Sequence, residues 1–122
     1  MLYITSDKPV RDMQREFTEA FPFLKLEFFI PGSAARRNVP TELFLTVKIE
    51  QGNHDKAENR KILLTPFLTA KELTKKCEEV FGVTVKVYRR FSNLWLETSI
   101  TENFTLQQQN DHVSEILASA TQ

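Results

Sequence analysis

Two stretches of this chain carry the same apolar register. Val10, Met13, Phe17, Ala20 and Phe21 recur, at identical spacing, as Ala70, Leu73, Cys77, Val80 and Phe81. Ile4 and Thr5 precede the first set as Leu64 and Thr65 precede the second, and Glu19 answers to Glu79. A helix stop closes each set, Pro22 in one and Gly82 in the other. After a one-residue gap, Leu24, Leu26 and Phe28 match Val83, Val85 and Val87. The spacing is helical in the first part and alternating in the second. Any two amphipathic units share some of this likeness, so duplication and convergence are both open. The physical consequence is the same for either: a lone helix–strand unit cannot bury its stripe, so the two must share a core. The expected fold is α+β, a two-layer sandwich. One mixed or antiparallel sheet would carry both helices on one face, with a short C-terminal helix added. Strand order stays open between a ferredoxin-like pairing and a β-grasp arrangement of residues 41–110 with 1–30 appended.

The local signals predict the following elements. Leu2–Thr5 reads as a strand, and Ser6, Asp7 and Pro9 as the start of a helix that Pro22 ends. Phe23–Ile30 alternates as a strand. Pro31–Thr41 is a loop, marked by Pro31, Gly32, Ser33 and Pro40. Leu43–Glu50 alternates again and predicts a strand, with Lys61–Leu64 as its partner in a long-looped hairpin. Thr69-x-x-Glu72 is a capping box opening the second helix. Val83–Tyr88 is a β-branched strand, Ser92-Asn93 a turn, and Leu94–Thr98 the returning strand. Thr105-x-x-Gln108 is a second capping box, leading a helix along Leu106, Asn110, Val113 and Leu117.

In the second half of the chain, FGVTVKVYRR, WLETS and the turn TL-x-x-QN resemble a small class of bacterial α+β proteins. The resemblance implies a fold and carries no activity and no site.

A chain of 122 residues has the size of one domain, here residues 1–122, and can close a core without a disulfide or metal. Sixteen basic residues balance sixteen acidic ones, which argues against a protein living on nucleic acid, where a basic excess is usual. The single Cys excludes an internal disulfide and a thiolate-rich zinc site, and it fits a reducing compartment. The first residues lack a secretory pattern, and no apolar run approaches a membrane span. The expected location is the cytoplasm, without a membrane partner.

The candidate binding residues cluster in Tyr88-Arg89-Arg90-Phe91-Ser92-Asn93-Leu94-Trp95. Arginines among aromatics at a hairpin tip offer bidentate pairing with phosphate or carboxylate, and stacking surface. Arg36 and Arg37 would join them if their loop folded over. The bland reading is that the arginines are solvated and Trp95 is core. Phe29, Phe44, Tyr88 and Trp95 each fall opposite their strand's aliphatic residues, so together they would line the sheet face away from the helices. Such a face needs a cover. The C-terminal helix is the first candidate and a second copy of the chain the next.

No catalytic set emerges. His54 and His112 lack metal-ligand spacing, Cys77 occupies the stripe position of Phe17 and reads as core, and a Cys77–His112 pair has no motif behind it. No cofactor or metal is expected. Two functions remain: a non-enzymatic interaction module using the aromatic sheet face, with a protein partner or as a homodimer, and a nucleic-acid or anion binder centred on Arg89 and Arg90 with Arg36 and Arg37.

Overall fold

The computed structural model describes residues 2–32, 37–47, 61–91, 93–98 and 101–120. The fold is α+β, with elements β1 (Tyr3–Ile4), α1 (Val10–Ala20), β2 (Leu24–Phe29), β3 (Ile62–Leu63), α2 (Ala70–Phe81), β4 (Thr84–Phe91), β5 (Leu94–Glu97) and α3 (Leu106–Ala120). The strands divide into two antiparallel sheets, β1-β3 and β2-β4-β5, where one was expected.

The repeated register becomes a pseudo-two-fold arrangement. β1 pairs with β3, Ile4 facing Ile62, and Leu64 N–H donates to Leu2 O at 2.9 Å. β2 pairs with β4, Leu26 facing Val87 and Phe28 facing Val85. Exchanging the two units maps each ladder onto itself. Both stripes are buried: Met13, Phe17, Leu73 and Cys77 have no exposed surface. They join Leu24, Leu26, Phe28, Val85 and Val87 in one core between the helices and one face of the three-stranded sheet. Val80 is half-buried against this core, and Ala20 is exposed on α1 just before the chain turns.

The helices start differently. α2 has the reciprocal box: Glu72 N–H donates to Thr69 Oγ1 at 3.0 Å, and Thr69 N–H donates to Glu72 Oε1 at 3.1 Å. Gly82 ends it in the left-handed region, φ 61°. α1 has no side-chain cap. Its first amides, on Val10 and Arg11, donate to Leu43 O and Thr41 O, both at 2.8 Å. That bonding explains why 43–47 is no ladder strand. Two of the segment's neighbouring carbonyls serve α1, and within 43–47 only Phe44 forms a bridge, to Pro9. Leu45 is buried, yet Leu43 is exposed, so the alternation marks an extended cover strip. Residues 61–64 pair with β1 instead of 43–47; 48–50 lie outside the described residues.

Each helix also seals the strand that follows it. Gln14 Nε2 donates to Leu26 O at 3.0 Å, and at the matching positions the Thr74 hydroxyl lies 3.1 Å from Val85 O. Ala70 O is 3.0 Å from the same hydroxyl, which has one proton to share between them. Both strand carbonyls point to the side away from the β2–β4 ladder, where no ladder bond among the described residues reaches them.

α3 opens with the expected second box, Thr105 N–H to Gln108 Oε1 at 2.9 Å and Gln108 N–H to Thr105 Oγ1 at 3.1 Å. It is pinned beside α2 by Leu106 N–H to Leu68 O, 2.8 Å, and to β2 by Phe23 N–H to Asn110 Oδ1, 2.9 Å. Leu106 enters the helix-side core. The side chain of Leu117 is outside the described residues.

Candidate functional site

Strand parity decides which side chains can act together. Arg90 N–H donates to Phe23 O, so Thr84, Lys86, Tyr88 and Arg90 turn their backbone groups to β2. Successive side chains alternate, so Tyr88 and Arg90 share the face away from the helices, while Arg89 falls on the helix side with Leu24 and Leu96. The neighbouring arginines therefore do not form one anion clamp. Arg37 lies farther still. Its carbonyl accepts from Ile30 N–H at 2.7 Å, seven positions along β2 from Phe23, or roughly 23 Å of extended chain. Arg36 is outside the described residues.

The outer face carries a shallow open groove of about 470 Å³ lined by Lys25, Glu27, Phe29, Asn38, Thr41, Tyr88 and Trp95. Lys25 reaches diagonally across β4: its ammonium is 5.5 Å from the Tyr88 ring centre and 5.1 Å from that of Trp95. This is cation–π distance. The same Nζ is 3.4 Å from Glu27 Oε1, and Asn38 Nδ2 donates to Glu27 Oε2 at 2.9 Å. Residues 37–39 run along β2's outer edge, with Val39 N–H donating to Phe28 O at 2.9 Å, and so form the groove's wall.

Of the four aromatics expected on this face, three are there. Phe29 is buried, Tyr88 half-buried, and Trp95 37% exposed. Phe44 is not: it is exposed beside Pro9 at the start of α1, away from the three-stranded sheet. α3, the first cover expected, contributes no described residue to the groove's lining. Its opening contacts to Leu68 and Phe23 hold it on the other side. Lys25, Glu27 and Asn38 are groove members that sequence reading missed. Alternation gave the face of Lys25, but only the β2–β4 register sets it against Tyr88.

The hairpin tip is apolar on its helix-side face too. Phe91 and Leu94 face each other and are 52% and 62% exposed; Leu96 is 38% exposed.

A second cleft, about 320 Å³, lies between α2, β4 and the segment after β5, lined by Lys71, Thr74, Lys75, Glu78, Lys86, Glu97, Thr98 and Glu102, among others. Its lining mixes both signs of charge, and among the described residues it includes neither a Cys nor a His. Cys77 is buried, and desolvation first, then the Glu78 charge, pushes its thiol up to about 12. His112 is exposed on α3, edge-on to Phe104 at 6.3 Å. Among the described residues, no three His, Cys, Asp or Glu side chains converge as a metal site. No described helix is long and apolar enough to cross a membrane. His54 lies outside the described residues. No protein-family model, curated protein or solved structure matches the chain.

Proposed function

We propose that this protein is a small non-enzymatic interaction module of the cytoplasm, whose contact surface is the outer face of the three-stranded sheet around Trp95, Tyr88 and Lys25. One observation carries the reading: a half-exposed indole and phenol sit on a rigid sheet with a lysine spread across both. Trp and Tyr dominate the energetics of protein contacts because they bring large area with few rotors to freeze. Lys25 screens the rings from water until a partner displaces or overlays it. The buried, high-pKa Cys77 supports a role without covalent chemistry. The anion-binding alternative has less support, since Arg89, Arg90 and Arg37 stand on different faces or ends of the sheet.

The test is affinity capture from the protein's own source lysate with wild-type and Trp95→Ala baits. The reading expects proteins that stay bound in high salt and are lost from the variant, a drop of about thirtyfold or more for a central aromatic. Retention of nucleic acid that disappears steeply as salt rises would instead favour the arginines.

A further inference from the structure

Among the described residues β5 is the outermost strand of its sheet, and its edge differs from the opposite one. Along β2 the outward carbonyls are taken: Leu24 O by the Thr18 hydroxyl at 3.2 Å, Leu26 O by Gln14, and Phe28 O by Val39 N–H. β5 presents Leu94-Trp95-Leu96, all exposed, with no Lys or Pro to blunt the edge. Thr98 N–H donates to Val87 O, so Leu94, Leu96 and Thr98 turn their backbone groups to β4. By alternation, Trp95 turns its N–H and C=O outward.

We infer that β5 pairs with β5 of a second copy, antiparallel, with the two-fold axis at Trp95. This rests on the interaction-module reading and places a second copy at the sheet edge beside the outer face. A two-fold strand pair places each residue opposite its mirror position, so it is best served by a palindrome, and Leu94-Trp95-Leu96 is one. Trp95 meets Trp95 of the second copy as a hydrogen-bonded pair, Cα atoms about 5.5 Å apart. Leu94 meets Leu96 of the second copy twice, as closer non-hydrogen-bonded pairs. Leu94 and Leu96 share the helix-side face with Phe91, so six exposed apolar side chains are covered together. On the other face Arg90, directly opposite Trp95, flanks the indole pair. The product is a continuous six-stranded sheet. A register centred on Leu96 would set Trp95 against Glu97 and Leu94 against Thr98, matching apolar with polar.

Sedimentation equilibrium on the full chain tests this with Leu94→Lys, Leu96→Glu and their double variant. Both side chains are exposed in the single chain, so each variant should fold, which circular dichroism checks. The wild type is expected to dimerise and each single variant to do so at least about tenfold more weakly. The double variant, and an equimolar mixture of the two single variants, should regain dimer, because the introduced ammonium then meets the introduced carboxylate across the axis. A wild type that stays monomeric at submillimolar concentration overturns the inference. So does a dimer that both single variants leave intact, or one that neither the double variant nor the mixture restores. In any of those cases, partner capture that depends on Trp95 would leave the interaction-module reading standing.

Discussion

The two helix–strand units bury equivalent stripes yet secure them by opposite means. α1 starts on borrowed carbonyls: Thr41 and Leu43, some thirty residues downstream, hold its first two amides. α2 starts on its own side chains, Thr69 and Glu72. At the centre of the stripe, α1 fills the core with the Phe17 ring, which stacks at 5.4 Å and a tilt against Phe21, while α2 offers the small thiol of Cys77. Pseudo-symmetric units thus need not share the work equally. The first supplies core volume and depends on a distant segment. The second supplies a self-contained helix and the strand from which the exposed hairpin extends.

The largest test of that asymmetry is at the matched core positions. Phe17→Ala should cost about 3–5 kcal/mol in urea unfolding, against roughly 1 kcal/mol for Cys77→Ala. Equal losses would mean that the units share the core evenly. Next come the caps. Thr69→Ala should cost about 1 kcal/mol, whereas Pro9→Ala should cost little, because α1's amides are satisfied by backbone. A Pro9 effect matching that of Thr69 would break the contrast.

The smallest effect is in pH. Backbone and side-chain hydrogen bonding from Thr69 holds the Glu72 carboxyl below its ordinary 4.5. A lowered acid stabilises the fold above its unfolded pKa and loses that contribution as pH falls through the folded value. The Thr69 amide resonance should therefore shift with a midpoint below 4.5. The first amides of α1 have no titrating acceptor and should not follow it. A Glu72 midpoint at or above the ordinary value would remove the box as a feature of the second unit.

Much of the fold was legible because helix signals are local. Pro22, Gly82, Thr69-x-x-Glu72 and Thr105-x-x-Gln108 act within one turn, and they ended or opened helices where expected. Strand pairing is not local. Leu43–Ile49 alternates well, but alternation records which side chains are covered, not which chain supplies the hydrogen bonds. The split of Arg89 from Arg90 was readable, since neighbours on a strand point apart. The meeting of Lys25 with Trp95 was not, because it requires the registers of two ladders at once.

The bonds by which Gln14 and Thr74 seal Leu26 and Val85 span 12 and 11 residues. The ladder contact between Ile4 and Ile62 spans 58. Short closures cost less chain entropy than long ones. Each helix and its strand can therefore zip as a small kinetic unit, and the two units are expected to dock late in folding. Removing the Thr74 hydroxyl should then mainly slow folding, and trimming Ile62 to Val should mainly speed unfolding, as stopped-flow chevrons would resolve.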